Sequence, residues 1–165
     1  MSAIEPNIAD TPMPRALQAQ TSSRWVCFEL EGQRYAVSIH KVFEVLSSAD
    51  IEPVPTAPAG VLGVINLRGS IVTVMDLRHW MKFQPVREVG CVLIANHEGQ
   101  PVGFCVDRII EVLNLPNEAV EPVPQSVSPE FSPGVMGLVN RNGEILTLLD
   151  LSKLLPAEAD AKALH

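Results

Sequence analysis

Short stretches in which apolar and polar residues alternate make up most of the chain. In segment 25–31, Val26, Phe28 and Leu30 fall on one face at a period of two, which is the pattern of a half-buried β-strand. The alternation returns in segment 34–38 after a short turn. Short strands separated by turn residues are typical of small barrels and sandwiches. The pattern therefore predicts a mainly β fold.

One segment follows a different period. Between residues 39 and 46 the apolar side chains stand at positions i, i+3, i+4 and i+7, namely Ile39, Val42, Phe43 and Leu46. This spacing predicts a short helix or a helical turn, on which Glu44 would be a solvated residue. The prolines of segment 53–58 then predict an extended connection, because proline cannot donate a hydrogen bond to a strand ladder.

A β-hairpin follows the proline-rich connection. Segments 61–66 and 70–75 have the pattern of two strands, and the short turn between them ends at Gly69, a residue that tolerates positive φ. Asp76 stands where a helix over residues 77–83 would begin, and aspartate is a favourable N-cap. The hairpin is therefore expected to lead directly into a capped helix.

Segments 60–81 and 134–155 are two copies of this hairpin unit. They align without a gap and share their glycines, asparagine and aspartate: Gly60/Gly134, Gly63/Gly137, Asn66/Asn140, Gly69/Gly143 and Asp76/Asp150. Residues 41–46 recur in the same way as residues 108–113. A period of about 70 residues is too long for a solenoid repeat and fits two copies of a small domain. The turns differ, because Arg68 corresponds to Asn142.

The duplication predicts the order of elements in the second half. From Val89 onward we expect a strand, a turn at Gly99, a second strand, a helical turn, a proline-rich link, the hairpin 135–149 and a helix capped by Asp150. Two repeats predict two small barrels. Because a barrel of this size has a thin core, the two should share an interface. The groove between them would be the natural place for a partner.

Composition narrows the class of function. Of the 165 residues, 47% are hydrophobic and 19% are charged, and the formal net charge is −7. An acidic balance argues against nucleic acid, whose phosphates need lysine and arginine. No apolar run approaches the length of a membrane span and no signal peptide is recognisable, so the cytosol is expected. Cys27, Cys91 and Cys105 predict neither a disulfide framework nor a metal pair.

Candidate chemistry is sparse. The histidines and cysteines show no metal-ligand spacing, and no nucleotide-binding or nucleophile motif is present. Asp76 and Asp150 could be imagined as a catalytic pair, but their equivalent places favour two helix caps. Arg68 projects from a tight turn, where it is either a solvated charge or a ligand for a partner's carboxylate. Binding is thus a better expectation than catalysis.

The first hairpin and several further stretches match a known family in chain order. The hairpin reads GVINLRG and then IVTVMDLR, and the other stretches are 28–30, 35–37, 39–45, 51–55, 102–108, 137–139 and 148–155. Together they resemble the CheW family of bacterial chemotaxis coupling proteins. The resemblance covers residues 24–155. Residues 1–23, which are rich in proline and lack an apolar period, are expected to form a disordered tail, and residues 156–165 a frayed end.

The resemblance implies two SH3-like five-stranded β-barrels packed together, with interleaved ends and short helices. It implies an adaptor without enzymatic activity, cofactor or metal. Such adaptors link the cytoplasmic tips of methyl-accepting chemoreceptors to the regulatory domain of the CheA histidine kinase. The receptor tip is expected in the groove between the barrels. We expect a cytoplasmic protein that associates with receptor arrays in the membrane and is a monomer in isolation.

The resemblance also implies roles for individual residues. Positions associated with receptor coupling are Val42, Glu44, Gly63 and Arg68. Val42 would offer apolar contact, Gly63 would let a helix come close, and Arg68 would pair with a receptor glutamate. Leu46 and Ile51 are expected at the kinase face. The turns and caps are expected to be maintained by Asn66, Gly69, Asp76, Gly143 and Asp150.

Two other hypotheses are compatible with the sequence. The same type of adaptor could serve a non-flagellar kinase pathway such as pilus-based motility. A small-molecule binder or enzyme that uses the groove between the barrels is a third interpretation, although paired acids and a nucleophile with a base are missing from the sequence.

Overall fold

The computed structural model describes residues 22–85, 88–124 and 134–155. The expected C-terminal end, 156–165, lies outside the described residues. So does the expected N-terminal tail, apart from Ser22 and Ser23, which already belong to the first strand.

Ten strands account for most of the described residues. They are β1 (Ser22–Leu30), β2 (Gln33–Ser38), β3 (Val42–Leu46), β4 (Val61–Leu67), β5 (Ser70–Asp76), β6 (Cys91–His97), β7 (Gln100–Val106), β8 (Arg108–Pro116), β9 (Val135–Arg141) and β10 (Glu144–Leu149). Two one-turn helices follow the hairpins, α1 (Leu77–Trp80) and α2 (Leu151–Leu154). Two 3-10 turns lie at Ile39–Lys41 and Asn117–Ala119.

The strands form two five-stranded sheets. Sheet A has the order β8-β1-β2-β10-β9 and sheet B the order β3-β6-β7-β5-β4. Each sheet contains one parallel pair, β2 with β10 and β5 with β7, and its other neighbours are antiparallel. The predicted fold class, mainly β with two five-stranded units and a few short helices, is confirmed.

Neither sheet is built from one copy of the sequence repeat alone. Strands β1 to β5 come from the first copy, yet sheet A joins β1 and β2 to β8, β9 and β10 of the second copy. Sheet B joins β3, β4 and β5 to β6 and β7. The two copies therefore interleave, because each copy gives its first two strands to the other copy's sheet.

The largest apolar core contains residues of both sheets. Phe28 of β1 and Phe104 of β7 are fully buried in it. Side chains on the opposite face of each sheet form a smaller core of their own. Cys27 of β1 belongs to the smaller core of sheet A, and Ile94 of β6 belongs to that of sheet B. Strands buried on both faces explain the continuous apolar runs of the sequence. The shared interface expected from the sequence thus contains this apolar core.

The predicted helical segment 39–46 is mostly a strand. Only Ile39–Lys41 form a 3-10 turn, and Val42–Leu46 are β3, which pairs with β6. Its β-branched and aromatic residues favour pleated backbone when a neighbouring strand supplies hydrogen bonds. Glu44 is therefore a strand residue. The equivalent segment in the second copy is corrected in the same way, since it is β8 (Arg108–Pro116).

The hairpins form as predicted and lead into capped helices. The carboxylate of Asp76 accepts a hydrogen bond from the Arg78 backbone N–H at 3.0 Å. In the second copy the carboxylate of Asp150 accepts from the Ser152 N–H at 3.1 Å. Both helices are one turn long, so the first ends earlier than the predicted residue 83.

Candidate functional site

Strand β3 is an edge of sheet B and contains a bulge at Phe43. Val42 pairs with Ala95 of β6 whereas Glu44 pairs with Ile94, so Phe43 is the extra residue in the ladder. Directly opposed residues of an antiparallel pair share a face. Val42 therefore faces the largest apolar core together with Ala95. Glu44 lies on the opposite face of the sheet, together with Ile94. Phe43 is 56% exposed, although the helical period had placed it with buried neighbours.

The turn between β4 and β5 holds Arg68 in a left-handed conformation. Arg68 has φ 51° and Gly69 has φ 88°, the paired positive values of a two-residue hairpin turn. The side-chain oxygen of Asn66 accepts a hydrogen bond from the Gly69 N–H at 2.9 Å. Asparagine and glycine suit such turns, whereas an arginine at φ 51° is strained. The turn itself therefore does not require Arg68.

Arg68 and Glu44 join the two ends of sheet B. β3 and β4 stand at opposite ends of the strand order, and the Arg68 guanidinium donates to the Glu44 carboxylate across them, Nη1 to Oε1 at 2.6 Å and Nη2 to Oε2 at 2.9 Å. Two parallel bonds fix direction as well as charge. The hydrogen bond to Glu44, and then its negative charge, raise the pKa of Arg68. The Arg68 side chain is still 74% exposed and accessible to a partner.

The second copy keeps the turn and lacks the ion pair. Asn142 has φ 52° and Gly143 has φ 86°, and the Asn140 side chain accepts from the Gly143 N–H at 3.1 Å. Asn142 is neutral, so it cannot form an ion pair with the exposed Glu111, the equivalent of Glu44. The asparagine and glycine that both copies share maintain the hairpin turn. The positive charge of Arg68 is present in the first copy alone of the two turns.

Gly63 is a point where two backbone segments touch. A side chain at this position would overlap the carbonyl oxygen of Glu52. Glu52 and Val64 exchange backbone hydrogen bonds of 2.8 and 2.9 Å. The close approach that Gly63 permits is thus made by the chain's own proline-rich connection, on the side where a partner helix was expected. Gly137 sits against Glu121 in the same way.

The two residues expected at the kinase face lie against a core. Leu46 and Ile51 are half-buried and pack against the separate core of sheet B. On β3 the exposed apolar side chains are instead Phe43 and Val45, the latter 40% exposed. The helical interpretation missed them, and reading residues 42–46 at a period of two would have found Val45.

A second group of charges connects the two sheets. Arg78, in α1 after sheet B, donates through Nη2 to both carboxylate oxygens of Asp107 at 2.8 Å and through Nη1 to Glu31 at 2.5 Å. Glu31 lies in the β1–β2 turn of sheet A, and its N–H donates to Asp107 at 2.9 Å. The hydrogen bond to Asp107 raises the pKa of Arg78, whose side chain is only 16% exposed. Arg78 and Asp107 belong to stretches that carried the resemblance, but nothing in the sequence paired them.

The described residues offer binding groups and no metal centre. Within them no three histidine, cysteine, aspartate or glutamate side chains come together as a metal site. The cysteines are free thiols, and burial raises the pKa of Cys105 to about 11 and also raises that of Cys27. None of the helices in the described part of the chain has the length and apolar character needed to cross a membrane.

The two β-sheets carry a charged turn and an exposed apolar strand edge at their surface, features that are typical of an interaction module. The chain belongs to the CheW-like family, whose domain model matches residues 24–159. It is therefore an adaptor of bacterial chemotaxis signalling.

Individual relatives cover most of the chain. It is 30% identical over 138 residues to the chemotaxis protein CheW of Rhizobium meliloti, across 81% of this chain and 87% of that protein. Identity to the chemotaxis protein CheW of Klebsiella aerogenes is 32% over 139 residues, across 81% and 82% of the two chains. The crystal structure of the scaffolding protein TtCheW from Thermoanaerobacter tengcongensis superposes with a TM-score of 0.73 at 27% identity, covering 82% of this chain and 94% of that one.

Proposed function

We propose that this chain couples methyl-accepting chemoreceptors to the regulatory domain of the CheA histidine kinase by contact alone, without catalysis. The observation that carries the proposal is the Arg68–Glu44 pair, which is built into one copy of the duplicated hairpin and not into the other. Family membership supports the class of partner.

The receptor face is proposed to follow the edge strand β3 and the turn that follows β4. Arg68 has hydrogen-bonding capacity beyond its two bonds to Glu44, because a guanidinium carries five N–H donors. A receptor carboxylate could therefore bind its exposed side while Glu44 holds the group in place. Val42, which is half-buried on the opposite face of β3 from Glu44, would add apolar contact through the exposed part of its side chain. Gly63 would act indirectly, by allowing the proline-rich connection to support β4.

The kinase face is proposed at the far end of β3. Leu46 and Ile51 pack against the core of sheet B and support this end of β3. Val45 of β3 supplies exposed apolar surface there. Apolar side chains at the centre of a contact, surrounded by polar ones, contribute most of the affinity in protein interfaces. Transmission would then be a shift of contacts between the two faces.

Reconstitution tests the proposed function directly. The chain is mixed with a chemoreceptor signalling fragment and a CheA kinase from the same cell, and kinase autophosphorylation is followed with and without it. Receptor-dependent kinase output that requires the chain is the expected result. If the chain binds neither partner, the proposal fails.

The proposed place of action is the cytoplasmic side of the membrane, within receptor arrays, and the chain is proposed to be a monomer before it meets its partners. Light scattering after size exclusion should give a mass near 17.9 kDa. A mass near twice that value would contradict the monomer.

A further inference from the structure

Within its described residues the chain crosses between the two sheets at two places. The 3-10 turn Ile39–Lys41 joins β2 of sheet A to β3 of sheet B, and Asp107 alone joins β7 of sheet B to β8 of sheet A. Strand β2 runs from the β1–β2 turn, where the Glu31 N–H bonds Asp107, to Ser38, which directly precedes the 3-10 turn. At about 3.3 Å of rise per strand residue, β2 separates the two crossings by about 17 Å.

The crossing at Asp107 is tied to both sheets. The Asp107 N–H donates to the Glu29 carbonyl of β1 at 3.0 Å, and its carboxylate accepts from the Glu31 N–H at 2.9 Å. Arg78, in the helix that follows sheet B, donates to the carboxylates of both Asp107 and Glu31. A largely buried guanidinium between two carboxylates fixes direction as well as distance, because its fork of donors is rigid. We call Arg78, Asp107 and Glu31 the latch.

The other crossing has no equivalent tie among the described residues. The Ser38 hydroxyl accepts from the His40 N–H at 3.3 Å, a bond that stays within the turn. Lys41 forms no ion pair with the part of the chain that the structure describes. A cavity of about 80 Å³ lies here, lined by Asn96 of sheet B and Leu149 of sheet A among others. A close-packed interior moves as one body, whereas a void leaves room for displacement.

We infer that the latch fixes one end of the interface and that the two sheets pivot about it, with the larger movement at the Ile39–Lys41 end. Hinges are formed by a few residues at the ends of elements, and the single-residue connection at Asp107 is such a place. Phe28 and Phe104 pack in the core that both sheets share, so the movement is a small rotation and not a separation. This movement belongs to the chain alone and needs neither receptor nor kinase.

Two pairs of spin labels measure the movement at the two ends of the interface. Gln100→Cys in β7 and Lys153→Cys in α2 carry labels at exposed positions near the cavity. Gln33→Cys in β2 and His79→Cys in α1 carry them at exposed positions next to the latch. Double electron–electron resonance on the full chain gives the distribution of distances for each pair. The pair near the cavity should have a distribution at least twice as wide as the pair next to the latch, and equal widths would overturn the inference.

The native cysteines need one replacement for this experiment. Cys27 and Cys105 are buried, so a labelling reagent should not reach them in the folded chain. Cys91 is half-buried and is replaced by serine in every sample. Mass spectrometry checks that each chain carries two labels.

Removing the guanidinium of the latch tests its role separately. Arg78→Leu keeps an apolar side chain, and the distribution between Gln33→Cys and His79→Cys should at least double in width. Arg108→Leu is the matched control and should leave that distribution unchanged, because the 3.0 Å ion pair of Arg108 with Glu29 lies within sheet A. An unchanged distribution in folded Arg78→Leu would overturn the inference. If Arg78→Leu does not fold, the comparison of the two label pairs decides, since it keeps the latch intact.

Discussion

Arg68 satisfies two opposing demands at the scale of a single residue. Its backbone has the left-handed conformation that the turn needs, although asparagine or glycine would adopt it with less strain. Its guanidinium bonds Glu44 in a bidentate geometry, yet it stays largely exposed. Strain kept at an exposed position is better explained by binding than by stability.

Replacing Arg68 by the residue of the other copy separates the two demands. Arg68→Asn keeps the turn chemistry of Asn142 and removes the charge. We expect an unchanged or higher melting temperature, because exposed ion pairs add little stability, together with weaker receptor binding. Differential scanning calorimetry and a receptor-fragment titration check the two expectations. A clear fall in melting temperature would mean that the pair mainly stabilises the fold.

The buried thiols set a second expectation at this scale. Burial raises the pKa of Cys105 from 9.0 to about 11, so the folded chain favours the protonated thiol. Its contribution to stability is complete below pH 9 and is lost as the pH rises from 9 towards 11. Urea unfolding at pH 8 and pH 10.5 should show a smaller loss for Cys105→Ala than for wild type. Equal losses would contradict the shifted pKa.

At the scale of elements, the glycines of the first hairpin have different tasks. Gly69 has positive φ and open space around it, so Gly69→Ala should cost about 1–2 kcal/mol of backbone strain. Gly63→Ala should cost more, because its new side chain would meet the Glu52 carbonyl group and separate β4 from the proline-rich connection. Chemical denaturation of both variants measures the difference. If Gly63→Ala kept wild-type stability and lost receptor binding, Gly63 would be a direct contact.

The sequence predicted the hairpins and missed the strand before them for a physical reason. Hairpin signals are local, since alternation and turn residues lie within about 16 residues. β3 is stabilised by β6, and the register that joins Val42 to Ala95 has no local signal. The segment also resembles a helix because Phe43, at the bulge, is apolar although it is exposed, which completes a helical spacing with Val42 and Leu46. The Arg68–Glu44 pair could not be predicted while Glu44 was placed on a helix.

At the scale of the whole molecule, the duplication is expressed through exchange of strands. Equivalent strands such as β3 and β8 have similar patterns, so the sequence could not decide which sheet each would join. The structure pairs Trp25 with Leu113, far away in the chain, and leaves sheet B to the continuous segment 42–106. Two units could be predicted from the repeat, but not the way in which they interleave.

Cutting the chain between its two copies tests this exchange. Fragments 1–85 and 86–165 each lack strands that both sheets need, so neither should unfold cooperatively alone, whereas the mixture should recover a single transition. Circular dichroism on heating follows the fragments and their mixture. A cooperative transition in one isolated fragment would contradict the exchanged arrangement as the source of stability.

For the whole molecule, we propose that Arg68 contacts the receptor directly, in addition to its ion pair with Glu44 inside the chain. The most direct measurement is receptor-dependent kinase autophosphorylation, reconstituted with wild type, Arg68→Glu, and the exchange Arg68→Glu/Glu44→Arg. The exchange rebuilds an internal ion pair but presents the opposite charge at the turn. The expected result is that both variants fold and neither restores receptor control of the kinase. If the exchanged pair restored full receptor control of the kinase, the claim would be contradicted and Arg68 would have a structural role only.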